Sequence, residues 1–249
     1  MDLNSDLGEG FGAWKMGDDE AMLDIVTSAN VACGFHAGDP GVMRRVCERA
    51  AERGVTIGAH VGYRDLAGFG RRALDIAPED LADDVLYQIG ALDAFARAAG
   101  SRVRYVKAHG ALYNKAAVDP DQAAALVEGV RRYGSELALL CPPDSEMLHA
   151  AVAAGVTGHA EAFADRAYTP SGQLVSRKEP GAVLHDAAAV AARAVTMATT
   201  GEVLDASGGK LMMRADSLCV HGDTPGAVEL ARQIRESLEA AGVTLAPFV

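Results

Sequence analysis

Four histidines lie at or just beyond the ends of predicted β-strands, whereas a lone histidine is more often a packing residue. They are His36, His60, His109 and His221, and Asp6 ends the first predicted strand in the same way. Imidazole and carboxylate groups transfer protons near neutral pH and also bind divalent metal ions. We therefore interpret these five residues as candidate catalytic residues, with Asp6 or one histidine as a general base. If a metal binds, we expect its ligands among Asp6, His36, His60 and His109.

Further polar side chains follow the strand ends and form a candidate binding group. Arg71 and Arg72 come after a glycine turn, in the long polar loop that follows the third predicted strand. A guanidinium group binds a phosphate or a carboxylate through two parallel hydrogen bonds, so this pair suits an anionic ligand. The other members of the group are Asn30, Lys107, Asn114, Glu161, Asp165 and Asp223. Together with the histidines, they predict an active-site mouth without fixing the reaction.

Strands and helices alternate along the whole chain. Predicted strands cover residues 3–7, 25–33, 55–61, 103–108, 137–141, 156–163 and 217–220. Helices are predicted between them, for example over 40–53, 78–99 and 182–200. This order predicts an α/β fold, a variant (β/α) barrel of about seven parallel strands, formed by a single domain over residues 1–249. A doubly wound open sheet is the alternative. In a barrel, the carboxyl ends of the strands converge on one face, which would gather the candidate residues.

Composition and charge disfavour several classes of function. The formal net charge of −11 argues against binding to nucleic acid or to an anionic membrane surface. No stretch approaches the roughly 18–20 apolar residues of a membrane span, and no basic and apolar leader begins the chain, so we expect a cytoplasmic protein. The four cysteines lack CxxC spacing, which favours reduced thiols. The glycine loop at 8–12 does not have the GxGxxG or Walker spacing, so a nucleotide would need another kind of site.

Motifs from one end of the chain to the other resemble those of the LamB/YcsF family. They are DLNSDLGEGFG at 2–12, SANVACGFHAGDP at 28–40, GAH at 58–60, GFGRR at 68–72, VKAHGALYN at 106–114, EAFADR at 161–166 and CVHGD at 219–223. The resemblance implies a variant (β/α) barrel of the glycoside hydrolase/deacetylase type. It also implies the activity of the first component of a prokaryotic ATP-dependent 5-oxoprolinase, which opens 5-oxo-L-proline to L-glutamate with ATP hydrolysis. The 5-oxoprolinase subunits B and C would be its partners.

The implied reaction suggests roles for the binding group. ATP and Mg²⁺ are the expected cofactors, and Lys107, Arg71 and Arg72 would neutralise the phosphates. Asn30 and Asn114 would orient the ring carbonyl or carboxylate of the lactam. Two other classes of protein stay open. One is a stand-alone metal-dependent deacetylase or amidohydrolase, and the other is a non-catalytic protein that binds a small acid.

Overall fold

Seven parallel strands close into a barrel in the computed structural model, which describes residues 1–134, 136–222 and 226–249. The strands of the described residues are β1 (Asp2–Leu7), β2 (Ser28–Ala32), β3 (Thr56–Val61), β4 (Val103–Ala108), β5 (Ala138–Cys141), β6 (Gly158–Phe163), β7 (Glu202–Leu204), β8 (Lys210–Met212) and β9 (Ser217–Cys219). The barrel order is β1-β2-β3-β4-β5-β6-β9, and β9 pairs with both β6 and β1. β7 and β8 form a separate antiparallel pair. The predicted barrel is confirmed, and the open-sheet alternative is wrong because the first and last barrel strands are joined.

Helices follow most of the barrel strands. They are α1 (Asp19–Leu23), α2 (Pro40–Arg53), α3 (Pro78–Ala98), α4 (Gly110–Ala116), α5 (Pro120–Tyr133), α6 (Glu146–Ala153), α7 (Ala187–Thr200) and α8 (Ala227–Ala240), with a short 3₁₀ turn at Leu66–Gly68. Asp39 caps α2 through its side chain, and Pro40 occupies the first turn, so α2 covers the predicted residues 40–53. Helix α7 starts later than predicted, because the Asp186 side chain accepts a hydrogen bond from the Ala189 N–H and fixes the start there. No helix of the described residues is long and apolar enough to cross a membrane.

Side chains spaced two residues apart on the barrel strands meet inside the barrel, because successive strand residues face opposite sides. Asn30 Nδ2 donates to Asn4 Oδ1 over 2.7 Å, and the Tyr105 hydroxyl donates to Asn30 Oδ1 over 2.6 Å. Lys107, two residues beyond Tyr105, joins the same interior network through a 3.4 Å contact with Asn4. Leu3, between the inward residues of β1, belongs to the apolar core instead. The barrel therefore has a polar interior and an apolar exterior that packs against the helices.

Aromatic side chains close the amino end of the barrel. Tyr105 fills the interior so tightly that a Cβ on Gly58 would lie 2.2 Å from its ring carbon Cζ. Phe248 of the C-terminal tail packs on the Tyr105 ring with centroids 4.9 Å apart, and Val249 belongs to the same cluster. This closure leaves the carboxyl ends of the strands as the approach for a ligand.

Candidate functional site

Three imidazoles meet at the carboxyl end of the barrel. His60 lies on β3, His109 directly follows β4, and His36 lies in the loop after β2. The rings of His36 and His109 stack with centroids 3.7 Å apart and planes inclined by 3°. His60 meets both rings edge-on, at centroid distances of 5.3 and 4.9 Å. All three are buried. The structure thus brings together three of the predicted histidines, from three successive strand ends.

The loop over residues 62–72 covers these rings and depends on glycine to do so. A Cβ on Gly62 would lie 2.8 Å from His36 Nδ1, and one on Gly70 would lie 2.7 Å from His109 Cδ2. Gly70 also has a φ of +61°, a conformation that favours glycine. Asp65 holds the loop closed, because its carboxylate accepts hydrogen bonds from the Gly68 N–H and from Arg72 Nε, each 2.9 Å long.

Glu9 completes the group, although it is absent from the candidates that the sequence predicts. Its Oε1 lies 3.7 Å from His36 Nε2 and 3.5 Å from His109 Nδ1. One ligand atom from each of Glu9, His36, His60 and His109 lies within 4.8 Å of the others. Glu9 is in the loop after β1 rather than at the strand's end, so its position does not mark it as a site residue. The sequence feature that could have marked Glu9 as a site residue is the pair of glycines that flank it. Gly8 has a φ of +69°, which lets the loop fold back.

Backbone carbonyls contact two of these imidazoles, and burial lowers the pKa of two of them. His109 Nε2 is 2.9 Å from the carbonyl oxygen of Phe69, and His60 Nδ1 is 3.4 Å from that of Lys107. Burial lowers the pKa of His36 well below its ordinary value, and the neighbouring His109 and His60 lower it further. Burial and His60 lower the pKa of His109 in the same way. The rings of His36 and His109 are therefore neutral at physiological pH, the form in which imidazole accepts a proton or binds a metal.

A buried lysine lies beneath the histidines, between two carboxylates. Lys107 Nζ is 3.1 Å from Asp6 Oδ1, 3.0 Å from Glu161 Oε2 and 3.2 Å from Cys219 Sγ. Burial by itself would lower the pKa of Lys107, but Asp6, Cys219 and Glu161 hold it well above its ordinary value. Burial would raise the pKa of Asp6, yet His60 and Lys107 hold it well below the ordinary value. The pair is thus charged, with Asp6 also 3.3 Å from His60.

On the other side of the mouth, His221 and Asp165 form a second pair. His221 Nδ1 lies 3.0 and 2.9 Å from the two carboxylate oxygens of Asp165, and the His221 ring stacks on Phe163 at 5.4 Å. Lys107 Nζ lies over the same Phe163 ring, 5.0 Å from its centroid. Burial would raise the pKa of Asp165, but His221 lowers it below the ordinary value. Because the carboxylate holds the hydrogen on Nδ1, the other ring nitrogen can accept a proton.

The remaining predicted residues have different surroundings. Asn30 belongs to the interior, where its Nδ2 donates to Asp6 Oδ1 over 2.8 Å. Arg72 is exposed and bound to Asp65, so its charge stabilises the loop. Arg71 is exposed, and its guanidinium lies 4.8 Å from the Phe69 ring centroid, beside the histidines. Asn114 is exposed on α4, and no hydrogen bond between described residues joins it to the cluster. The predicted Asp223 lies outside the described residues.

The surroundings of Lys107 do not favour its predicted role in binding phosphate. A phosphate near Nζ would also approach the charged carboxylate of Asp6 and lie close to Glu161, and like charges repel. The same arrangement suits a small, neutral and polar group such as an amide. His221 can accept a proton, Asp6 can accept a hydrogen bond, and the Lys107 ammonium can stabilise negative charge on a carbonyl oxygen.

These features define a variant (β/α) barrel whose polar cluster lies at the carboxyl ends of its strands. A peptidoglycan N-acetylglucosamine deacetylase domain from Eubacterium rectale has the same fold, with a TM-score of 0.50 at 12% identity over 99% of this chain and 87% of that one. A lactam utilization protein from Thermus thermophilus is far more similar. It has a TM-score of 0.95 and 45% identity, over 100% of this chain and 99% of that chain.

The family model of the LamB/YcsF family matches residues 1–249. The chain belongs to this family, as its motifs predicted. A protein from Nocardia farcinica, named as the A component of 5-oxoprolinase, is 63% identical over 249 residues, which cover 100% of this chain and 99% of that protein. A protein of the same name from Streptomyces avermitilis is 61% identical over 248 residues, again 100% of this chain and 99% of that protein.

Proposed function

We propose that this chain is the A component of a 5-oxoprolinase and that its barrel opens the ring of 5-oxo-L-proline to give L-glutamate. The observation that carries the proposal is the buried Asp6–Lys107 pair beside His221, at the mouth of a chain with 63% identity to a 5-oxoprolinase component. In this account, residues 1–249 form one catalytic domain. The protein works in the cytoplasm, consistent with four buried cysteines that are all free thiols.

The net reaction sets two demands on the site. Water adds its oxygen to the ring carbonyl carbon, the C–N bond breaks, and the nitrogen leaves as the amine of glutamate. An amide carbonyl is a weak electrophile and an amide nitrogen is a poor leaving group, so the site must remove a proton from water and stabilise charge on the oxygen. The atoms balance with two water molecules, one for the hydrolysis of the lactam and one for the hydrolysis of ATP.

We assign these two tasks to two neighbouring residues of the mouth, both of which contact Phe163. His221, oriented by Asp165 at 2.9 Å, is the general base for the attacking water and returns that proton to the ring nitrogen as the C–N bond breaks. Lys107 stabilises the negative charge that develops on the carbonyl oxygen, because it is held as an ammonium by Asp6 and Glu161. Asp6 orients the ring nitrogen or the water. In this way, the four predicted histidines divide into a single base, His221, and a cluster of three with Glu9.

ATP hydrolysis, with Mg²⁺ on the phosphates, supplies the energy to activate the amide in this proposal, in a complex with subunits B and C. The relatives are named as one component of an enzyme, which supports an assembly of several chains. The carboxylates around Lys107 favour a nucleotide site away from the barrel interior, with Arg71 at the mouth as the nearest candidate to contact a phosphate. Subunits B and C then contribute to nucleotide binding.

The experiment is to measure glutamate release from 5-oxo-L-proline by the purified chain, with and without ATP and with and without subunits B and C. We expect release only when ATP and all three subunits are present. Turnover by the complex with His221→Asn should fall at least 100-fold, as expected for a lost proton-transfer group. Asp6→Asn should lower it by a similar factor, because it removes the group that orients the substrate and a counter-charge of Lys107. No release under any combination would contradict the proposal.

One observation favours a second function, a metal-dependent amidohydrolase that acts without ATP. It is the cluster of Glu9 with three histidines in a barrel that has the same fold as a deacetylase domain. The same assay separates the two functions. An isolated chain that hydrolyses an amide at the same rate whether or not ATP is added would support the second function.

A further inference from the structure

The Glu9–histidine cluster has the spacing of a set of metal ligands. His109 Nδ1 is 3.1 Å from His60 Nε2 and 3.5 Å from Glu9 Oε1, which is in turn 3.7 Å from His36 Nε2. Ligand atoms that bind a metal at about 2.1 Å in a tetrahedron are about 3.4 Å apart. We propose that Glu9, His36, His60 and His109 bind one divalent transition-metal ion at the barrel mouth.

His36 gives the second, independent observation. Its side chain is completely buried, yet neither ring nitrogen makes a hydrogen bond to a described residue. Buried polar groups almost always have a partner, so an imidazole left in this state needs an explanation. A metal ion bound among the four side chains would take the lone pair of Nε2, the nitrogen that faces Glu9. The packing of Gly62 against Nδ1 leaves Nε2 as the ligand atom.

The outer hydrogen bonds of the other two histidines orient their lone pairs toward the cluster. Phe69 O accepts from His109 Nε2, and Lys107 O accepts from His60 Nδ1. A carbonyl can only accept, so these nitrogens carry the hydrogens. His109 Nδ1 then faces Glu9 Oε1 at 3.5 Å, and His60 Nε2 lies 3.1 Å from His109 Nδ1 and 3.3 Å from Asp6 Oδ2. Metal-bound histidines in proteins use their second nitrogen in the same way, as a donor to a carbonyl or carboxylate.

The donor atoms select the class of ion. Three imidazole nitrogens and one carboxylate oxygen suit Zn²⁺, Co²⁺, Ni²⁺ or Fe²⁺, whereas Mg²⁺ prefers oxygen ligands. This ion is therefore distinct from the Mg²⁺ proposed to accompany ATP. When bound, it would polarise a carbonyl or activate water. That role rests on the proposed function, but the binding itself does not.

The test uses the isolated full-length chain, freed of metal with a chelator and titrated with Zn²⁺ and with Co²⁺. We expect one ion per chain by calorimetry, a visible Co²⁺ absorption spectrum, and a higher melting temperature with Zn²⁺ than without. Glu9→Gln and His36→Asn should each weaken Zn²⁺ binding at least 10-fold. Glu9→Gln keeps the size of the side chain and lies in a loop, so it stays informative if His36→Asn does not fold. His149→Asn, an exposed histidine on α6, is the matched control and should bind Zn²⁺ normally.

A wild-type chain that binds neither ion, or a Glu9→Gln chain that binds Zn²⁺ as tightly as wild type, would overturn the metal site. Mg²⁺ in excess should not displace Co²⁺, and displacement would also overturn the assignment. Because binding is measured without ATP, substrate or partners, its failure is distinct from a failure of the proposed function. A chain that binds one Zn²⁺ but releases no glutamate in the complex contradicts only the latter.

Discussion

Lys107 Nζ lies 3.1 Å from Asp6 Oδ1 inside the barrel, where both side chains are largely withdrawn from water. Glu161 lies on the opposite side of the same ammonium, at 3.0 Å. A charge in this setting is stable only with its partners, because burial without them would be costly. The polar interior of the barrel is therefore one coupled unit.

The first prediction is that Lys107→Met destabilises the fold by about 3–5 kcal/mol, because it leaves two carboxylates buried without a counter-charge. Urea denaturation at neutral pH measures the loss. Adding Glu161→Gln to Lys107→Met should restore part of it, and Lys15→Met, at an exposed position, should change little. A double variant that loses the full sum of both single losses would show that the charges are not coupled.

The second prediction concerns Asp165 as a positioning residue for His221. Asp165→Asn should lower kcat for glutamate release by about 100-fold or more, because the amide cannot hold the imidazole in the required form. Adding His221→Asn to Asp165→Asn should cause little further loss, since the two residues act as a unit. A double variant that is slower by the product of both effects would contradict the pairing. Unchanged melting temperatures would exclude a merely structural effect.

A third prediction follows from Asp93, which joins α3 to β4 and α5. Its carboxylate accepts from the Val103 N–H at 2.8 Å and also from the Tyr133 hydroxyl and Arg97. Burial would raise the pKa of Asp93, but Tyr133, Val103 and Arg97 hold it below the ordinary value. A lowered pKa in the folded state means that the charge stabilises the fold above the unfolded pKa of about 3.9, and that this stability is lost as the pH falls through the folded pKa.

Asp93→Asn should therefore cost about 2 kcal/mol at neutral pH and progressively less below pH ~4. Urea denaturation over this pH range, with the exposed Asp75→Asn as a control, measures the difference. A loss for Asp93→Asn that stays constant down to pH ~3 would contradict the assignment of the stability to the ionised carboxylate.

The fourth prediction concerns the closed end of the barrel. Gly58→Ala should destabilise the chain by about 3 kcal/mol or prevent folding, because its Cβ would overlap the Tyr105 ring. Replacing Tyr105 with leucine in the same chain should recover part of the stability by making room. Thermal unfolding of both variants measures this, and Gly90→Ala, with open space around the added carbon, should be tolerated. Equal melting temperatures for Gly58→Ala and wild type would contradict the packing.

The features that depend on a local sequence pattern could be predicted from the sequence alone. The seven barrel strands could be predicted because short strand-like segments alternate with helix patterns and turns along the whole chain, and strand ends in a barrel converge. The gathering of His36, His60 and His109 followed from that rule. The β7–β8 pair was missed, since its three-residue strands are too short for any periodicity to register.

Other features depend on contacts between distant segments. Ser145 rather than Asp144 forms the cap of α6, because Asp144 has a φ of +51°. Asp119 caps α5 and accepts from the Gln122 N–H, but the Gln122 side chain accepts from the Tyr63 hydroxyl at 2.9 Å instead of returning a hydrogen bond to the cap. The carboxylates around Lys107 come from β1 and β6, so the sequence alone could not reveal that two carboxylates lie beside its ammonium.

The most direct test of the central claim is kcat for glutamate release by the complex of this chain with subunits B and C, at saturating ATP and 5-oxo-L-proline. With Asp6→Asn in this chain, we predict a fall of at least 100-fold at a temperature where circular dichroism shows the variant to be folded, whereas His149→Asn leaves kcat unchanged. A fully folded Asp6→Asn complex that turns over at the wild-type rate would contradict a reaction at this barrel mouth.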